Sequence, residues 1–296
     1  MTYSIVARDP SSGALGVAVQ SHFFGVGPVV PWLDPGVGAI ATQATVNVGF
    51  GRHGLDLLRA GVAAEEAIAR LIAEDGDAHL RQLAIVDATG RVAAHTGAGC
   101  IRDAGHRIGA TYSVQGNLLR SSDVWPAMAE AFESTLGAPL WERLLAALDA
   151  GERAGGDVRG RQSAALVVVS GTQSEAPWDE VLMDVRVDDH EDPLGELRRL
   201  ARMREAYRLM GEVEGPSDSR PVAERYALAR SLSPEAVELV FWRAIELARS
   251  GDLGAGRREM SIAFAADPTW REALRRVAEA GLCGDDPTVV DRLLEI

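Results

Sequence analysis

The sequence has 296 residues, with 43 acidic against 30 basic side chains, a formal net charge of −13 and a pI near 5.0. That balance excludes an electrostatic footprint for DNA or RNA, while 47% apolar residues supply an ordinary soluble core. Every basic residue is an arginine, and without lysine there is no Schiff-base, pyridoxal-phosphate or P-loop chemistry.

In chain order, the N-terminal region reads as β structure. Strands at Thr2–Ala7 and Ala14–Gln20 flank the turn Asp9-Pro10-Ser11-Ser12-Gly13, giving a hairpin. A Gly/Pro-rich stretch from Gly25 to Gly38 precedes a short strand at Gly38–Gln43. Leu55–Ala73 carries apolar residues at helical spacing, split by Gly61 into two helices. Gln82–Asp87 and Arg91–His95 form a second hairpin, and Ile108–Val114 reads as a strand ending at Gln115-Gly116-Asn117. Helices follow at Ser122–Ser134 and Pro139–Ala150, then a charged Gly-rich loop, Gly151–Gly160. Ser163–Ser170 is almost continuously apolar, the pattern of a strand buried on both faces. Glu180–Val187 is the next strand, and Pro193–Met210 an amphipathic helix.

This order suits an α+β architecture of layered sheets covered by helices better than a doubly wound βαβ sheet. Composition shifts to a linker at Gly211–Pro221. Beyond it the chain reads as helical, at Val222–Ser231, Pro234–Ser250, Gly254–Asp267, Pro268–Ala280 and Thr288–Ile296. Cys100 and Cys283 make no CxxC motif or disulfide framework. No run reaches the ~18 apolar residues of a membrane span. The start MTYSIVARD has no basic leader or apolar signal region, so a cytoplasmic protein without membrane or nucleic-acid partners is expected.

The chemistry centres on Thr2. Methionine aminopeptidases remove Met before small residues, which would leave a Thr with hydroxyl nucleophile and α-amine base in one residue. The free α-amine titrates near ~7.7–8.0, so it can accept the hydroxyl proton at working pH. While Met1 remains, that nitrogen is an amide and cannot act as a base. Such a nucleophile needs an oxyanion hole, for which Gln115-Gly116-Asn117 is the candidate. Gln43, after Thr42, is a polar side chain ending a strand, suited to hold a substrate carbonyl. Asp157, Arg159, Gln162 and Ser163 cluster before the buried strand and could position a carboxylate-bearing substrate, or form a salt bridge that orders the loop. Ser21 and His22 close the second strand near Thr2, and Asp9 sits in the first hairpin turn. His95 and Cys100 lack a third orienting group for thiol catalysis, and the remaining histidines form no HxxxH or HxH pair. No metal or organic cofactor is expected.

The segments MTYSIVARDPSSGALGVAVQSHFFGVG, GAIATQA, RVAAHTGAGC, YSVQGN and GRQSAALVVVS resemble, in order, the bacterial family of unknown function DUF1028. That family is grouped with the N-terminal nucleophile (Ntn) hydrolases. The resemblance runs over about residues 1–210. It implies a four-layer αββα sandwich with two antiparallel sheets, and its strand-opening nucleophile falls on Thr2. Proteasome-like members of the superfamily keep a lysine beside the nucleophile; here an arginine, a histidine or a hydrogen-bond network has to supply the field. Residues 1–212 are thus expected to form an Ntn-like domain, 213–221 a linker and 222–296 a helical domain.

In the tail, Ala244, Leu247, Gly256, Met260, Ala263 and Pro268 are spaced as in one tetratricopeptide unit. The stretch FWRAIELARSGDLGAGRREMSIAFAADPTWREALRRV also resembles a peptidoglycan-binding segment appended to this family. A lone unit cannot bury its own face, so a docking or oligomerisation role is expected. Leu239, Trp242, Ile245, Phe264 and Trp270 exceed what a small helical piece can hide, predicting a homodimer or a protein partner. The functional expectation is an amidohydrolase acting on a small amide or acyl-amino compound. The alternative is a non-catalytic binding or assembly protein of the same fold.

Overall fold

The computed structural model describes residues 2–211, 218–284 and 287–296. Contacts among them divide the chain into one unit ending at Arg204 and a second from Glu205 onward. Residues 213–217 of the expected linker lie outside the described residues.

In the first unit, β1 (Thr2–Arg8) and β2 (Leu15–Ser21) form the expected hairpin. The Asp9 carboxylate ties its turn by accepting from the N–H groups of Ser11 and Ser12. Next come β3 (Pro31–Asp34), β4 (Gly38–Ala44), α1 (Gly49–Arg59), α2 (Ala64–Ala73), β5 (Arg81–Asp87) and β6 (Val92–Thr96). Then follow β7 (Gly105–Ile108), β8 (Tyr112–Asn117), α3 (Val124–Ser134), α4 (Leu140–Arg153), β9 (Ser163–Val169), β10 (Val181–Val187) and α5 (Pro193–Met210), whose residues from Glu205 on belong to the second unit. The described strands pair antiparallel into a six-stranded sheet, β10-β9-β2-β1-β8-β7, and a four-stranded sheet, β3-β4-β5-β6.

Three apolar layers join them. Tyr3, Ile5, Ala18 and Leu166 of the large sheet pack on Met128 and Phe132 of α3, Leu144 and Leu148 of α4, and Leu197 of α5. The opposite side chains, Val6, Val17 and Val19, meet Ala39, Ala41, Ala84 and Val86 of the small sheet. Ile40, Leu83 and Ile85 on the outer face of that sheet pack on Leu55, Ile68 and Leu71 of α1 and α2. This is the αββα sandwich expected of an Ntn-type domain. Every residue of β2 and β9 is buried, because both faces of the large sheet are covered at its centre.

Two strand expectations need correction. β3 falls within the stretch read as Gly/Pro-rich loop. The strand expected at Ile108–Val114 straddles a tight turn, closed by Gly109 N–H donating to the Tyr112 carbonyl, between β7 and β8. Gln115-Gly116-Asn117 stands at the strand end, as the last three residues of β8.

Helix α1 approaches the small sheet through Gly51, where an added Cβ would lie 2.1 Å from Trp32 Cγ. The Trp32 indole is anchored by its N–H to the Val29 carbonyl at 3.0 Å. Gly51→Ala should therefore destabilise the first unit by roughly 1–3 kcal/mol. Chemical denaturation checks this; an unchanged midpoint would mean that the helix seats without a close approach.

The second unit continues with α6 (Val222–Leu232), α7 (Val237–Arg249), α8 (Leu253–Ala266), α9 (Trp270–Glu279) and α10 (Pro287–Leu294). Gly256 lets α8 approach α7, since a Cβ there would lie 2.8 Å from the Ala244 carbonyl oxygen. Leu239, Ile245 and Phe264 are buried, and Trp242 and Trp270 are half-buried. The apolar side chains on which the expected dimer rested thus pack largely into the unit's own core. No helix among the described residues is long and apolar enough to cross a membrane.

Candidate active site

Alternation along the strands sends Thr2, Ser4 and Val6 of β1 toward the small sheet. Val6 meets its apolar core; Thr2 and Ser4 lie at the polar end. Asn117 is the register partner of Thr2, Gln115 of Ser4, and Ser21 of Ser163. One end of the inter-sheet space thus carries a polar row, Ser163–Ser21–Thr2–Asn117, with every member buried. Thr2 Oγ1 and Ser21 Oγ share a hydrogen bond of 3.0 Å.

The facing residues of the small sheet are Gln43, Gln82 and Thr96, adjacent across β4, β5 and β6. Gln82 is the hub. Its Nε2 donates to the carbonyls of Gly116 at 2.8 Å and Gly105 at 3.1 Å, and toward Thr96 Oγ1 at 3.0 Å. Backbone carbonyls only accept, so these contacts fix the orientation of the amide. Its Oε1 therefore faces the site, accepting from Gln43 Nε2 and Asn117 Nδ2, both at 2.8 Å. Gln43 Oε1 accepts from Ser4 Oγ at 2.7 Å, Ser4 Oγ from Gln115 Nε2 at 2.6 Å, and Gln115 Oε1 from Ser113 Oγ at 2.9 Å. Gln43 Nε2 also reaches the Thr2 carbonyl at 3.4 Å. A string of neutral amides and hydroxyls thus holds Asn117 beside Thr2, each buried polar group satisfied by the next.

Two residues just beyond this row have positive φ without being glycine. Ala44 (φ 70°) follows Gln43, and Leu118 (φ 50°) follows Asn117. Such conformations cost of order 1–3 kcal/mol and persist where the surroundings over-determine them. Both strands therefore turn away sharply after presenting their amides.

A second group closes the same end. Asp157 is buried; it accepts from the His22 N–H at 3.1 Å and pairs with Arg159 at 2.9 Å. Ser163 Oγ donates to the Phe23 carbonyl and accepts from Val26 N–H, ordering the loop after β2. The His22 Nδ1 atom is buried without a hydrogen-bond partner.

The remaining expected residues lie elsewhere or act indirectly. Asp9 is at the far end of β1; at roughly 3.3 Å per residue the strand carries it roughly 20 Å from Thr2. It serves the hairpin turn and pairs with Arg143 at 3.3 Å. Gly116 lies within the β ladder, where a Cβ would meet Leu119 Cδ1 at 2.4 Å, and its carbonyl orients Gln82. Gln162 turns outward to Asp189. Gln115 sits one row deeper than Thr2. Gln82, Ser4, Thr96 and His106 were missed, although Gln82 occupies the inward phase of its strand with Ala84 and Val86. Among the described residues no group of three or more His, Cys, Asp or Glu could hold a metal ion.

His106 ends the network, its Nδ1 lying 2.8 Å from Thr96 Oγ1. Burial, then the neighbouring His95, lowers its pKa below the ordinary 6.5. In the tautomer protonated at Nε2 the neutral ring accepts the Thr96 proton at Nδ1, and protonation removes that acceptor. Between the lowered folded value and 6.5 the unfolded chain binds more protons. This contribution to stability is therefore complete above the unfolded pKa and is lost as pH falls through that window. Denaturation midpoints should drop over this range, and His106→Asn should flatten the drop; an identical pH profile in both proteins would remove His106 from the network.

The first unit is thus an αββα, Ntn-hydrolase-like sandwich in which a buried threonine opens a central strand. The chain belongs to the family of unknown function DUF1028, whose sequence pattern matches residues 2–197. It is similar to a DUF1028 protein from Silicibacter pomeroyi known from a crystal structure, with 35% identity and a TM-score of 0.60. That likeness covers 67% of this chain and 84% of the other. Anbu, the ancestral beta-subunit from Yersinia bercovieri, matches at 12% identity and a TM-score of 0.34, over 73% of this chain and 100% of that one. No curated protein matches the chain.

Proposed function

We propose that the first unit is an Ntn-type amidohydrolase that cleaves a small amide or acyl-amino compound through Thr2 after removal of Met1. The observation that carries this reading is the placement of the Thr2 hydroxyl, 3.0 Å from Ser21 Oγ and opposite Asn117. The Thr2 α-amine takes the hydroxyl proton as Oγ1 bonds to the substrate carbonyl carbon. Asn117 Nδ2 spends one N–H on Gln82 and offers the other to the tetrahedral oxyanion. Collapse breaks the C–N bond, and the ammonium returns its proton to the leaving amine. Water then adds to the acyl–Thr2 ester, giving up a proton to the amine, and the ester oxygen recovers one as it leaves. Neither metal nor organic cofactor enters these steps.

The neutral amide network favours an uncharged α-amine, the part a lysine plays in proteasome-like relatives. Phe23, Phe24, Val48, Ile101 and Val158 are exposed on loops that adjoin this end of the sandwich. They suit a substrate with an apolar acyl group.

The rival reading is a non-catalytic binding or assembly protein, with the helical unit as its docking module. The absence of lysine and the 4% exposure of Thr2 favour it. Intact-mass measurement of the protein from its own cells separates the two. Loss of one methionine residue is expected for the hydrolase; uniform retention of Met1 would sink it.

A further inference from the structure

We infer that the second unit holds a binding site for a small organic oxyanion, a carboxylate or phosphate on an apolar body. The inference is independent of Thr2 chemistry. A cavity of about 360 Å³ opens between the end of α5, α6, α7 and the segment after α9. That volume is within the usual range for small-molecule sites. Its apolar wall comes from Met210, Leu239, Trp242, Ile245 and Leu282, and its charges from Arg225, Arg243, Arg249 and Glu246.

The charges do not cancel. Arg243 pairs with Glu246 at 2.7 Å and lies over the Tyr226 ring. Arg225 and Arg249 have no acidic partner among the described residues. Each is held by a backbone carbonyl instead, Arg225 by Leu209 at 2.9 Å and Arg249 by Leu282 at 3.5 Å. The Arg225 Nε is buried without a hydrogen-bond partner. Two guanidinium groups thus stay charged beside a half-apolar cavity, in a chain whose net charge is −13. The buried Arg225 Nε–H is costly to leave unmatched, and an oxyanion satisfies it together with the exposed Arg249 guanidinium through charge-assisted hydrogen bonds. Trp242 and the aliphatic side chains then receive the apolar body.

The spacing shows how the sequence builds the wall. Leu239, Trp242, Arg243, Glu246 and Arg249 share one face of α7, three or four residues apart. Val222 and Arg225 repeat that spacing on α6.

The test is calorimetric titration of the full chain with phenylbutyrate, phenylphosphate and the neutral phenylbutanol. One anion or both should bind saturably at one site, at least about tenfold tighter than the alcohol. Which anion wins identifies the head group. Arg225→Gln and Arg249→Gln should each abolish that preference, with circular dichroism confirming that the helices persist. Saturable binding of the alcohol equal to that of both anions would overturn the inference, as would no saturable binding at millimolar concentration. Undiminished anion binding in both variants would do the same. The comparison of ligands on the unaltered protein decides the matter even if a variant fails to fold.

Discussion

Replacing Gln82 by Leu should destabilise the first unit by roughly 3–5 kcal/mol and abolish whatever the Thr2 site does. The volume change is small, so the effect comes from hydrogen bonding. Gln82 meets the carbonyls of Gly105 and Gly116, and the amide N–H groups of Gln43 and Asn117, and its own side chain is fully buried. Leucine leaves these groups unmatched, and each buried unmatched group costs about 1–3 kcal/mol. Gln82→Glu separates volume from polarity. It keeps an acceptor for Gln43 and Asn117 but sets a second oxygen against two carbonyls, so its defect should grow as pH rises and the carboxyl ionises. Urea denaturation at several pH values reads both effects. A fully stable, pH-indifferent Gln82→Glu protein would contradict the donor role of Nε2.

Thr2→Ala should leave the fold nearly intact while removing turnover of any amide that the protein cleaves. The hydroxyl makes one hydrogen bond to Ser21, so its loss costs about 1 kcal/mol in stability. Loss of the nucleophile leaves only binding and oxyanion stabilisation, a fall of about 10³-fold or more in rate. Thr2→Ser keeps the hydroxyl and the α-amine and should retain measurable activity. With the α-amine as base and its neutral form favoured by the amide network, the rate should rise with pH and level off below the ordinary amine value of about 8. Equal turnover by the Thr2→Ala protein would move the chemistry to another residue.

Much of this was legible from local pattern. The β1–β2 hairpin, the doubly buried β9, and α3 and α4 follow from alternation, turn residues and helical spacing. The strands missed or misplaced, β3 and β7, are sheet edges with mostly half-buried residues, so burial imposes little alternation on them. Pro31 opening β3 is tolerated for the same reason.

Within the site, Thr2, Ser21, Gln43 and Asn117 could be singled out because each is a polar residue closing or opening an apolar strand. Gln82 has the same signature, but its meaning comes from Gly105, Gly116 and Asn117, which reach it only once the two sheets stack. Asp9 erred the other way: turn chemistry alone accounts for it.

Covalent labelling tests the central claim most directly. The protein lacking Met1 would be treated with a β-lactone probe and its peptides mapped by mass spectrometry. The expected result is one adduct, an ester on Thr2 Oγ1, absent from Thr2→Ala and from protein that retains Met1. No adduct, or the same labelling in all three proteins, would contradict an N-terminal nucleophile at Thr2.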